Sequence, residues 1–107
     1  MRDHLFRIAE TADTPPAAIG VVEARVLYPP RIYSICRVLH IHSLYVVPEH
    51  RMRGVGQALM RSALEWGKRR RCLEAELSTL ACNPARTLFE ELGFEVVELG
   101  MRSSVLA

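Results

Sequence analysis

The chain has 107 residues, half of them apolar, and a formal charge of +2. Those values describe one domain with a real but modest core, and they exclude a disordered chain. So small a charge gives no general case for nucleic acid, because the basic residues gather in one loop and at one helix end.

Cys36, Cys72 and Cys82 form an odd set with no paired spacing. They read as reduced thiols of a cytoplasmic protein, each a small buried hydrophobe. The start, MRDHLFRIAE, carries charge where a signal peptide needs an apolar run. No apolar stretch reaches transmembrane length, so no membrane partner is expected.

In chain order, residues 4–10 read as a short strand built on Leu5, Phe6 and Ile8. Residues 11–16 have turn chemistry and two adjacent prolines. Residues 18–28 are a second strand, rich in Val21, Val22, Val26 and Leu27, which Pro29 and Pro30 stop. Residues 32–36 are ambiguous. Residues 38–47 make a long third strand, apolar apart from His40, His42 and Ser43, and such a strand is expected to be covered on both faces. Short connections suggest an antiparallel meander.

A helix is expected over residues 55–68, with Val55, Ala58, Leu59, Ala63 and Trp66 on its apolar face. The basic run from Lys68 to Arg71 is a solvated end that suits the helix dipole. Residues 73–80 read as a strand parallel to the third, closing a βαβ unit. Asn83 then caps a second helix with Pro84 at its first position, and Gly93 ends it. Residues 94–99 and 101–106 read as final strands about Gly100. The class is α/β (α+β), a mixed, mostly antiparallel sheet with one crossover, in a single domain spanning residues 1–107.

The chemistry concentrates where the third strand ends. Leu44, Tyr45, Val46 and Val47 run into Pro48. A basic, glycine-bearing loop follows, Arg51-Met52-Arg53-Gly54-Val55-Gly56, and the helix begins inside it. Free N–H groups, a positive dipole end and two arginines make a site for phosphate or pyrophosphate. It is not a P-loop, because no Gly-Lys-Ser/Thr occurs. Nor is it a dinucleotide fingerprint, because Leu59 stands at the third glycine position.

These residues resemble motif A of the GNAT superfamily of N-acetyltransferases, R/Q-x-x-G-x-G/A after a strand. The segment from Asn83 to Phe94 is similar to the family's second signature, N-x-A-x-x-L-Y-x-x-x-G-F. The resemblance implies a GNAT-like acyl-CoA N-acyltransferase fold that binds acetyl-CoA. Backbone groups of Leu44, Tyr45, Val46 and Val47 would pair with the pantetheine arm in a space between two splayed strands. Those of Arg51, Met52, Arg53, Gly54, Val55 and Gly56 would hold the pyrophosphate. Asn83 would contact the cofactor or simply cap its helix.

Phe89 stands where many members carry the tyrosine that protonates the leaving thiolate, and phenylalanine cannot donate a proton. Tyr45, Ser43 or solvent remain for that task. His42 stands where many members carry a glutamate general base, and histidine suits the role by its pKa; the other reading is a structural histidine. The His40-x-His42 pair raises zinc, but no third ligand follows, and no metal is expected. Family members usually have a strand and two helices ahead of the meander, whereas residues 1–37 read as strands. Part of the sheet should therefore be uncovered, and a homodimer with exchanged elements should complete it; a truncated chain is the other explanation.

The expected activity is direct transfer of acetyl from acetyl-CoA to a primary amine of a small molecule or peptide. The alternative is a non-catalytic acetyl-CoA-binding or interaction module that dimerises through the uncovered sheet.

Overall fold

The computed structural model describes residues 3–28, 37–79 and 82–106. The expected stop at Pro29 and Pro30, the ambiguous residues 32–36, Cys36 and Leu80 lie outside those residues. Strands β1 (His4–Glu10), β2 (Ala18–Leu27) and β3 (Arg37–Val46) form an antiparallel meander. Helix α1 (Val55–Arg69) then crosses over to β4 (Cys72–Glu76), which lies parallel to β3. The sheet order is β1-β2-β3-β4, and a short helix, α2 (Arg86–Glu91), follows.

The ladders put one face of the sheet against α1. Leu5 pairs with Ala24 and Leu39 with Val26, and all four are buried. From α1 come Leu59, Met60, Ala63, Trp66 and Gly67, a stripe at helical spacing. Leu39 and Met60 are 1% and 0% exposed, and each contributes about 2 kcal/mol by leaving water. The stripe sits slightly round from the expected face: Ala58 is exposed and Met60 is buried. Gly67 lets helix and sheet approach closely, since a Cβ there would lie 2.8 Å from Leu39 Cδ2. At the far end of α1 the guanidinium of Arg37 donates to the Arg70 carbonyl at 2.7 Å, which satisfies an acceptor left by the helix terminus.

Four expectations need correction. The third strand is covered on one face only; His42, Ser43 and Tyr45 are exposed on or beside the other. β4 ends at Glu76, and residues 77–79 are not strand. Residues 94–106 form no strand or hairpin; Val97, Leu99, Met101, Val105 and Leu106 are all more than 80% exposed. Their local pattern suits a strand, but a strand forms only against a partner edge. Cys82, read as buried, is exposed.

Candidate active site

The ladder between β2 and β3 contains a bulge. Ala24 faces Ile41 while Glu23 faces Ser43, so His42 is an extra residue on β3. Before the bulge Leu39 and Ile41 point inward; after it Leu44 and Val46 join the core side, packed against the buried cluster. The inserted residue leaves His42 exposed beside Ser43. Its ring centroid lies 5.8 Å from that of His40, so the two histidines remain neighbours as the alternation implied.

The opposite edge of β3 is open over the same stretch. Pairing with β4 joins Arg37 through His40 to Cys72 through Glu76 and stops there. Residues 41–46 of β3 therefore continue without β4 beside them. Val47 donates to the Ile19 carbonyl at 2.8 Å. Along an antiparallel ladder the backbone direction alternates, so Tyr45 and Val47 address β2 while Leu44 and Val46 turn their N–H and C=O groups toward the open side. The Val46 carbonyl accepts from Arg51 Nε at 2.8 Å. The Arg51 guanidinium lies 5.5 Å from the centre of the Tyr45 ring, a cation–π contact.

The loop from that edge to α1 leaves the start of the helix without a side-chain cap. A 3-10 turn over Pro48–His50 redirects the chain. Met52 and Gly54 take positive φ of 63° and 82°, and Gly54 is the N-cap of α1. No side chain caps this terminus and no acidic residue lies in its first turn. Its first N–H groups thus keep their hydrogen-bonding capacity and positive potential. Arg53 is exposed beside them. Gly56 is an ordinary helical residue whose missing Cβ leaves the crevice between Leu88, Val46 and Leu44 unfilled; a methyl there would lie 3.4 to 4.0 Å from their side chains. Val55 is half-buried and lies against the core cluster.

The second signature divides into packing and turn chemistry. Phe89 is buried in the core and meets Phe94 edge-on, centroids 6.2 Å apart. Asn83 Oδ1 accepts from the Ala85 N–H at 2.9 Å, and Asn83 Nδ2 donates to Thr79 Oγ1 at 2.9 Å. Asn83 therefore ties the end of the β4 segment to the turn that enters α2; the residue bounding the helix itself is Ala85.

One group escaped the sequence reading. Glu23 on β2 faces the bulge, and its Oε2 lies 2.9 Å from His4 Nε2. Ser43 Oγ donates to its Oε1 at 3.4 Å. The His4 hydrogen bond holds the Glu23 carboxyl below the ordinary glutamate value of 4.5 against the opposing pull of desolvation, with the His4 and His42 charges acting in the same direction as the hydrogen bond. The available signal was a single acid inside an apolar strand, VVEARV. Among the described residues no three His, Cys, Asp or Glu side chains are arranged to hold a metal ion. No helix among them is long and apolar enough to cross a membrane.

A mixed sheet opened beside its crossover helix, with an uncapped helix terminus at that opening, is the arrangement of the acyl-CoA N-acyltransferase fold. Residues 2–94 match the Acetyltransferase (GNAT) family, and the chain belongs to it. Among solved structures it is similar to a candidate acetyl transferase from Pyrococcus furiosus, 28% identical, TM-score 0.83, over 96% of this chain and 66% of that one. It is similar also to the aminoglycoside N-acetyltransferase AAC(6')-Iy in complex with CoA, 27% identical, TM-score 0.75, over 92% and 73%. Glucosamine-6-phosphate N-acetyltransferase from Arabidopsis thaliana shares the fold at 13% identity, TM-score 0.80, over 97% and 68%. The chain spans about two thirds of the length of these structures. No curated protein matches it in sequence.

Proposed function

We propose that the chain is an N-acetyltransferase that moves acetyl from acetyl-CoA to a primary amine by direct transfer in a ternary complex. The observation that carries this is the union of the uncapped Gly54 terminus of α1 with the open edge of β3. The terminus and Arg53 suit the pyrophosphate, while Leu44 and Val46 suit the amide-bearing pantetheine arm.

His42 takes the proton of the acceptor ammonium, directly or through water. The freed amine attacks the thioester carbonyl carbon, and the Val46 N–H stabilises the oxyanion that forms. The nitrogen then sheds its second proton to solvent, and collapse breaks the C–S bond, yielding the amide and the CoA thiolate. Phe89 has no proton to give, so solvent, Tyr45 or Ser43 protonates a thiolate whose pKa, near that of cysteine at about 8.5, makes it a tolerable leaving group. Nothing in the sequence or among the described residues calls for a covalent enzyme intermediate.

The test is thiol release from acetyl-CoA with a panel of primary amines, beside thermal melting with acetyl-CoA. Turnover together with a raised melting temperature is expected. Replacing His42 by alanine should lower turnover at least about tenfold, within the usual worth of a general base, and leave the acetyl-CoA shift unchanged. Unchanged turnover would return His42 to a structural role.

The second reading, a non-catalytic module, is favoured by Phe89 and by the uncovered outer sheet face, where Phe6, Ile8 and Tyr45 are 59%, 53% and 50% exposed. It predicts cofactor binding with no amine-dependent thiol. For the enzyme we propose a homodimer joined through the exposed 94–106 arm, which leaves that sheet face to the acceptor. A solution mass that falls from dimer to monomer when residues 94–107 are removed tests this.

A further inference from the structure

Resting on the acetyltransferase reading, we propose that Glu23 is the acceptor-binding carboxylate, and that the acceptor is a primary monoamine with a small apolar body rather than a polycationic aminoglycoside. The bulge turns His42 and Ser43 to the outer face opposite Glu23. His4 from β1 and Ser43 from β3 fix the carboxylate from both sides. A carboxylate has about four acceptor positions, so two remain for an incoming ammonium. That ammonium would then lie beside His42, the group that must remove its proton.

The rest of the face says what the ammonium is attached to. Phe6 pairs with Glu23, and one step along the ladders lie Ile8, Val21 and Tyr45. These side chains line a shallow apolar depression of about 210 Å3. Two residues along a strand cover about 7 Å, the reach of a two- or three-carbon tether between ammonium and body. In the other direction Arg25 lies opposite His4 and His40, and Glu76 is already bonded to His40 Nδ1 at 3.0 Å. One available carboxylate beside an apolar depression matches a single positive charge. A polycation needs several carboxylates and would meet Arg25.

The experiment measures amine-dependent thiol release by the chain and by Glu23→Gln with 2-phenylethylamine, kanamycin and aniline, the last uncharged at neutral pH. Calorimetric binding of 2-phenylethylamine to the CoA-loaded chain and variant runs beside it. We expect 2-phenylethylamine to exceed kanamycin in kcat/KM by about tenfold or more. In Glu23→Gln its KM should rise about ten- to a hundredfold, the usual worth of a charge-assisted hydrogen bond, with kcat nearly unchanged and aniline unaffected. Equal loss for the charged and uncharged acceptors, unchanged KM, or preference for kanamycin would overturn the proposal while leaving the acetyltransferase reading intact. Glu23-dependent binding of the amine without turnover would sustain the proposal and sink that reading; binding that ignores Glu23 would sink the proposal as well.

Discussion

Gly56→Ala separates a glycine kept for the fold from one kept for a ligand. The added methyl would sit 3.4 Å from Leu88 Cδ2, 3.8 Å from Val46 Cγ2 and 4.0 Å from Leu44 Cδ2, all ordinary contacts. Alanine is favoured over glycine in a helix by about 1 kcal/mol. The unliganded variant should therefore be as stable as the parent, or up to about 1 kcal/mol more stable. The same methyl fills the crevice beside the N–H groups of the first turn, so acetyl-CoA should bind more weakly. At a ligand concentration of about 100 Kd the parent gains about 2.7 kcal/mol, and a tenfold weaker variant gains about 1.4 kcal/mol under the same conditions. In a domain of this size 1 kcal/mol moves Tm by about 4–8 °C, so the ligand-induced shift should roughly halve. Differential scanning fluorimetry with and without acetyl-CoA reads both effects. An undiminished ligand shift would refute the placement of the cofactor at this turn. A loss of about 2 kcal/mol or more without ligand would show that Gly56 serves the fold instead.

Gly67→Ala should do the opposite: its Cβ would meet Leu39 Cδ2 at 2.8 Å, and overpacking of this kind costs about 1–3 kcal/mol in chemical denaturation. Gly54→Ala, at φ +82°, should cost about 1–2 kcal/mol, the penalty of a left-handed alanine, with Gly54→Asn losing less. Burial pushes the Cys72 thiol up while Cys82 is exposed, so iodoacetamide near neutral pH should label Cys82 well before Cys72, as peptide mass mapping would read. Because the folded state holds Glu23 below 4.5, its favourable interaction is present above that pH and lost as the pH falls through the depressed value. Urea denaturation from pH 6 to 3 should therefore show a shallower acid loss for Glu23→Gln than for the parent.

Much of the scaffold was legible because it is written locally. The apolar run from Val38 and the glycine-bearing basic loop each carry their own signal, and α1 begins at Val55 as expected and ends at Arg69, one residue beyond the expected end. What escaped depends on pairing. His40, His42 and Ser43 read as part of an even strand, since a bulge exists only relative to the partner strand, here between Glu23 and Ala24. Glu23 escaped for the same reason: its relation to His4 and Ser43 spans 19 and 20 residues. The tail misled in the other direction. Val96, Val97 and Leu99 have strand character, but they pair with neither edge of the four-stranded sheet.

The extra residue at the β2–β3 bulge is a phase shift in a two-beat pattern. Ahead of it odd-numbered positions of β3 face the core, and behind it even-numbered ones do. Deleting His42 would restore the beat and leave Leu44 opposite Val22 and Val46 opposite Gly20, on the core side as before. What the deletion would take away is the second of two adjacent outward residues, so the bulge serves the open face, where it sets His42 beside Ser43 and Glu23. One residue between Ile41 and Leu44 would satisfy the core; the second is an addition that only the outer face uses.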